Sequence, residues 1–137
     1  MRVILDTNVL IAALMTLGSP PDRLYRAWHA GQFTLVSSEL QIDEIRRVTR
    51  RAGVKLHISP AEAGRMVNDL RELAVLQEAL PVVEVSPDPF DNFLLAMAEA
   101  SHADILVTGD KRGLLDLAAH RGTRILTPRA ALELLGD

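Results

Sequence analysis

The chain of 137 residues contains no cysteine, which excludes disulfides, thiolate catalysis and cysteine-bound zinc or iron–sulfur centres. Its four histidines, His29, His57, His102 and His120, show no zinc-ligand spacing. Long apolar runs are missing as well. Residues 9–17 form the most apolar stretch, which is too short to cross a membrane. Asp6 and Asn8 interrupt its approach and no small-x-small cleavage site follows, so Met1 is expected to begin the mature fold in the cytoplasm. Positive charge is not in excess: 15 Lys and Arg against 18 Asp and Glu give a net charge of −3. No global field therefore draws in polyanions, and any nucleic-acid contact needs a local basic patch. Repeats, low-complexity tracts and linkers are also lacking. With 48% apolar and 24% charged residues, the chain is expected to fold as one domain, residues 1–137, with a core that needs no covalent staples.

Short β-branched runs alternate with longer helical ones. Arg2-Val3-Ile4-Leu5 predicts a strand, followed by helices over residues 10–17 and 22–30 separated by Gly18-Ser19-Pro20-Pro21. Residues 33–36 predict a second strand. Ser38 opens a helix, with Gln41 as capping-box partner, that runs to about Ala52 and stops at Gly53. Ser59-Pro60-Ala61-Glu62 opens another, reaching Glu78 or Ala79. Strands are predicted at residues 82–85, 104–108 and 124–126, and helices from Asp88 to about Ser101, over 112–120, and from Thr127 to Leu135. This alternation implies a three-layer α/β/α domain with a central parallel sheet of about five strands. In such sheets the working site lies beyond the carboxyl ends of the strands.

Asp6 directly follows the first predicted strand and Asp110 follows the one at 104–108. A single Asp after a strand is commonly a turn or cap residue, but two at one sheet edge point to a shared site. Glu44 lies four residues from both Leu40 and Val48, with Ile45 beside it, and so is expected to interrupt the core-facing stripe of its helix. A carboxylate there needs a partner or an ion, the alternative being a place at the stripe's edge and an arginine partner. Asp88 fits an N-cap. Asp91, in the first turn, shares a side with Leu95 and Ala98 and is expected to point inward.

Four segments then carry a resemblance. Val3-Ile4-Leu5-Asp6-Thr7-Asn8-Val9-Leu10 resembles the opening of PIN-domain nucleases. Ser38-Glu39-Leu40-Gln41-Ile42-Asp43-Glu44-Ile45 is similar to their second motif, Asp88-Pro89-Phe90-Asp91-Asn92 to the third, and Ala103-Asp104-Ile105-Leu106-Val107-Thr108-Gly109-Asp110 to the fourth. The order is kept over nearly the whole chain, and the likeness is greatest to VapC-like toxins of bacterial and archaeal toxin–antitoxin pairs. The resemblance implies an acidic tetrad of Asp6, Glu44, Asp91 and Asp110 that binds metal and is catalytic. Asn8, Thr108 and Asn92 would support it, with Asp116 a weaker candidate. Gly113 stands where relatives often carry a polar or acidic residue. Asp43 and Asp88 are left as structural.

Carboxylates without His or Cys suit Mg2+ or Mn2+. The implied activity is ribonucleolytic: hydrolysis of an RNA phosphodiester, leaving a 5′-phosphate, with no protein nucleophile. The implied partners are RNA, a cognate antitoxin protein and a second copy in a homodimer, with no membrane. Arg46, Arg47, Arg50, Arg51 and Lys55 form the densest positive run, ordinarily a solvated face. Arg46 and Arg50, with Lys111 and Arg112 beside Asp110, are the candidate RNA contacts. Tyr25 and Trp28, with Leu24, read as core. Two other readings fit the pattern: a PIN nuclease of housekeeping RNA processing, and a receiver-type phosphoacceptor. The second expects paired acids after the first strand, where Asp6 stands alone.

Overall fold

The computed structural model describes residues 1–109 and 112–136, with Arg112 by its backbone. In chain order the elements are β1 (Arg2–Leu5), α1 (Thr7–Met15), α2 (Pro20–His29), β2 (Thr34–Ser37), α3 (Glu39–Thr49), α4 (Ala52–Lys55), α5 (Pro60–Leu73) and β3 (Val75–Leu76). They continue with α6 (Pro89–Ser101), β4 (Ile105–Val107), α7 (Arg112–Leu117), β5 (Ala119–His120), β6 (Thr123–Leu126) and α8 (Pro128–Leu134). The sheet order is β3-β2-β1-β4-β6-β5. Every pairing is parallel except β5 with β6, which is antiparallel.

Side chains alternate between the sheet's two faces, as the pleat requires. Val3, Leu5, Ile105 and Val107 join one core with Leu24, Ile42, Ile45 and Leu70. Ile4 and Leu106 join the other, with Leu94, Leu95, Met97 and Leu114. The first core is roofed by α1, α2, α3, α5 and α8, the second by α6 and α7, which completes the three layers. Trp28 and Leu24 are buried in the first core, with Tyr25 edge-on to Trp28 at 5.3 Å between ring centres. Burial and the bond from its hydroxyl to Asp69 (2.9 Å) push the Tyr25 phenol well above its usual value. These aromatics are core, as their helical spacing predicts.

Chain connectivity sets the one special place in this sheet. From β1 the chain steps outward to β2 and β3, then returns to the other side of β1 to lay down β4 and β6. The strand order therefore reverses between β1 and β4, and their carboxyl ends border a crevice. Leu5 lies opposite Val107 at that end.

The predicted elements shift in four places. Residues 82–85 are not a strand. Val82 is 88% exposed, and the sheet position they would occupy is taken by Val75 and Leu76, which pair with Val36 and Ser37. That pairing also ends α5 at Leu73, five residues or more before the predicted stop, with Ala74 extended as its C-cap. The bond from Gln77 N–H to the Ser37 carbonyl (2.9 Å) holds the chain to the sheet. α3 ends at Thr49, and Gly53 lies inside the one-turn α4 instead of terminating a longer helix. Residues 119–120, predicted as helix, form a hairpin with β6. Arg121 and Gly122 supply the two positive φ angles, 47° and 86°, that its turn requires.

The cap at Ser59 forms as its sequence predicts. Ser59 accepts from the Glu62 N–H while Glu62 accepts from the Ser59 N–H, both at 3.1 Å. These bonds hold the Glu62 carboxyl below its usual value, so their stabilisation is present at neutral pH and fades as pH falls through that lowered value. The Ser38 box is only half formed. Its hydroxyl accepts from the Gln41 N–H (3.3 Å), but the Gln41 side chain turns into the protein. There it donates to the Leu5 carbonyl (2.7 Å) and accepts from the Ser37 hydroxyl (2.6 Å). This buried amide bolts α3 onto the end of β1. Gln41→Leu should therefore lower unfolding free energy by about 2 kcal/mol, because it strands buried polar groups. The check is a denaturant titration; an unchanged midpoint would mean that water replaces the amide without loss.

Candidate active site at the sheet switch point

Asp6 stands where β1 ends, and its backbone N–H continues the ladder to the Val107 carbonyl (2.9 Å). Its side chain caps α1, accepting from the Asn8 N–H (3.2 Å). The other carboxylate oxygen accepts from the Thr108 hydroxyl (2.9 Å), 102 residues away in sequence. Asp6 is 1% exposed and Thr108 fully buried. A buried carboxylate is costly unless bonded, and this one is bonded by the first turn of α1 and by the residue that follows β4.

Asp91 is held differently. It lies in the first turn of α6, where the helix dipole favours an anion, and is 4% exposed. Its Oδ2 accepts from the Ser86 hydroxyl (3.2 Å). Ser86 is in turn fixed by Asn92, whose Oδ1 accepts from the Val85 and Ser86 N–H groups (3.1 and 2.8 Å) and whose Nδ2 donates to the Ser86 carbonyl (2.7 Å). Asn92 thus acts on the Asp91 carboxylate through the loop before α6. Asp88 is the N-cap expected, accepting from the Phe90 N–H (2.9 Å). A methyl group added at Gly113 would sit 3.4 Å from Asp91 Oδ2, so α7 begins against this carboxylate. The chain passes from Thr108, which touches Asp6, to Gly113, which borders Asp91, within five residues.

The face of α3 is not the one that the four-residue spacing predicts. Gln41, Ile42, Ile45 and Thr49 are the buried side, and Leu40 is 60% exposed. Glu44 therefore sits at the edge of the core stripe instead of within it. Its largely covered side chain pairs with Arg47 at 3.7 Å. Arg47 also lies over the Phe90 ring, 5.4 Å from its centre, and so ties Glu44 to the first turn of α6, next to Asp91. The reason is geometric: a residue 100° round the helix from Ile45 reaches the boundary of a layer that Gln41 and Ile42 already fill.

The remaining candidates divide. Thr108 and Asn92 support carboxylates, and Asn8 does so through its backbone, its side chain being exposed. Asp116 is exposed on α7. Arg46 and Arg50 are exposed on the far half of α3, where they line a cleft with α5. Asp110 and Lys111 lie outside the described residues, as does the Arg112 side chain. Among the described residues, Asp6, Glu44 and Asp91 do not meet as a group of three that could hold an ion together. The donor types in the two pairs, carboxylate and hydroxyl oxygens at Asp6–Thr108 and at Asp91–Ser86, are nonetheless those that a hard cation takes.

Two contributors escaped sequence reasoning. Gln41 positions the Asp6 end of β1; its place four residues before Ile45 on the buried side was the available signal. Ser86, in a Ser-Pro-Asp-Pro turn, gave none. Removing the Thr108 hydroxyl takes away a bond to a buried charge, so Thr108→Val should cost about 1.5–3 kcal/mol of unfolding free energy, with Thr108→Ser restoring most of it. Calorimetric or denaturant melts of the two variants test this; a Thr108→Val variant as stable as the parent would show that the hydroxyl bond contributes nothing.

A profile described as the PIN domain matches residues 2–112. No curated protein and no solved structure matches the chain. Members of that family are generally nucleases that use divalent metals, and the match spans the strand ends carrying Asp6 and Thr108, the α3 edge with Glu44 and the α6 turn with Asp91. The chain belongs to the PIN domain family.

Proposed function

We propose that the chain is a ribonuclease that hydrolyses RNA phosphodiester bonds with Mg2+ or Mn2+, and that it is the toxin of a toxin–antitoxin pair. The observation that carries the reading is Asp6, a buried carboxylate bonded by Thr108 at the point where the strand order reverses. Capping α1 occupies one oxygen of this carboxylate, and the bond from Thr108 across the strand switch is additional to it. Asp22, also buried, has an evident structural role: it accepts from the Gly18 N–H (2.8 Å) and pairs with Arg26 (3.1 Å) at the start of α2.

In this reading Asp6, Glu44, Asp91 and Asp110 hold the ion. When bound, a divalent cation activates water and stabilises charge building on a phosphodiester. The chain's own groups prepare that place. Thr108 and the Asn8 N–H fix the rotamer of Asp6, and Ser86, set by Asn92, fixes Asp91. The Glu44–Arg47 contact is a pair of partly exposed charges, a kind worth about 0–1 kcal/mol, so Glu44 can exchange that partner for another cation. Lys111 and Arg112, following Asp110 in sequence, are the nearest candidates to meet the scissile strand. The partners in this reading are RNA, a second copy of the chain and an antitoxin that covers the acidic rim, in the cytoplasm. Membership of the PIN family leaves the receiver-type reading without a basis.

Purified protein should cut single-stranded RNA with Mg2+ or Mn2+, and Asp6→Asn, Glu44→Gln, Asp91→Asn and Asp110→Asn should each slow cutting by about a hundredfold or more. If Asp6→Asn and Glu44→Gln both cut as fast as the parent, the rim is not the reaction centre. Thr108→Val should lie between, at about 10–100-fold. Expression of the protein alone should arrest growth and Asp110→Asn should relieve the arrest; undiminished arrest in that variant would separate toxicity from cleavage.

A further inference from the structure

A second concave site lies on the flank of the C-terminal half of α3. Arg71, near the end of α5, bonds Glu39 at the start of α3 (3.1 Å), so the two helices run antiparallel. The N-terminal half of α5 therefore lies against the C-terminal half of α3. Between them, closed below by α4, is a cleft of about 460 Å³, in the range of small-molecule sites. Arg46, Arg50 and Lys55 line it, with Gly64, Val67 and Asn68 of α5 opposite.

Three features mark this cleft as a binding site. Among the described residues no acidic side chain lines it and none of its three cations has an acidic partner, whereas Arg47 and Arg71 both do. Five of the chain's 15 positive residues fall within residues 46–55, where there is no acid. The third feature is Gly64. Glycine is among the poorest residues for a helix interior, and Gly64 sits in the body of the 14-residue α5. Packing does not demand it, because a Cβ there would meet nothing within 4 Å. A larger side chain would instead project into the cleft. The glycine keeps the space between the cations open.

We propose that this cleft is a phosphate subsite that grips the backbone of a single-stranded RNA away from the acidic rim. The proposal rests on the ribonuclease reading for the source of the phosphate. Guanidinium forks match phosphate oxygens. The positive end of α5, whose Pro60 reaches the cleft, adds to the field. Glu62, the acid of that cap, lines a different pocket beside α1 and α2. Val67 gives an apolar wall for a sugar or base edge, and Asn68 a neutral donor and acceptor. Arg46 and Arg50 stand two and six residues beyond Glu44 on α3, roughly 3–9 Å along the axis. A strand whose scissile bond lies at the rim can follow that flank into the cleft.

The test uses the full chain carrying Asp6→Asn and a labelled single-stranded oligoribonucleotide, with affinity read by anisotropy across a salt series. Adding Arg46→Ala with Arg50→Ala should weaken binding at least about tenfold and flatten the salt dependence by about 0.7 in slope for each phosphate that is no longer neutralised. Gly64→Leu leaves charge unchanged and favours helix, so it should weaken binding by filling the cleft without unfolding α5. Arg129→Ala on α8 should change nothing. Parent-like affinity and slope in both cleft variants would overturn the subsite, as would an Asp6→Asn parent that binds no RNA. If the cleft variants lose a poly-glutamate peptide while keeping RNA, the occupant is an acidic protein segment and the proposal fails. A wild-type chain that binds RNA through the cleft yet cuts none with either metal sinks the nuclease reading alone.

Discussion

The hydrogen bond from Thr108 to Asp6 joins the two strands between which the sheet reverses direction. It exists only because β1 and β4 are neighbours in register, with Leu5 opposite Val107, so that the residues after each strand emerge side by side. That adjacency depends in turn on the chain leaving β1 for β2 and β3 and coming back across the other face as α6. Neither a two-stranded fragment nor a sheet with another order puts a buried hydroxyl against this carboxylate. Burial of Asp6 is thus a consequence of topology, and the donors around it are what make a buried charge tolerable.

Charge is distributed along α3 in a way that serves its own stability as well as its surroundings. Glu39 lies in the first turn and Arg46 and Arg47 in the last, complementing the helix dipole at both ends. The same gradient gives the chain a local concentration of positive charge at the end of α3 despite its net charge of −3. A polyanion has no reason to approach this protein as a whole, and every reason to approach one end of α3. Local segregation, not total charge, is the relevant quantity for the proposed substrate.

The layers, the parallel sheet and most helix starts could be read from the sequence because they rest on local chemistry. Ser59-Pro60-Ala61-Glu62 forms the box it spells, and Val3-Ile4-Leu5 alternates between two cores as a doubly covered strand must. What could not be read was decided by long-range competition. Residues 82–85 have β-branched side chains but no partner strand, since Val75 and Leu76 had already taken the place beside β2. Glu44 lies at the edge of the inner face and not at its centre, because Leu40 counts as apolar in a pattern but is exposed in the fold. Ile42 and Ile45, with Gln41 between layers, set the true inner face. At the site, Asp6 after β1 and Asp91 in the first turn of α6 lie where their sequence positions put them. Their supports could not be read, because the pairing of Ser86 with Asp91 depends on how a proline-containing turn folds back.

Gln41 and Asn92 share one physical logic. Each is an amide that clamps backbone beside an acid: Gln41 the last carbonyl of β1, next to Asp6, and Asn92 the Val85–Ser86 turn, which bonds Asp91. An amide presents donor and acceptor at once, so it can satisfy backbone groups of both kinds in a space that water does not enter. It also carries no charge. A lysine or arginine in either place would fix the backbone as well, but would neutralise the neighbouring carboxylate through a low-dielectric path. At these two points the backbone is held by neutral side chains. Among the described cations, Arg47 is paired with a rim carboxylate, and it does so from a partly exposed position where the bond is weak. Neutral clamps of this kind add no positive charge of their own beside the carboxylates they help to place.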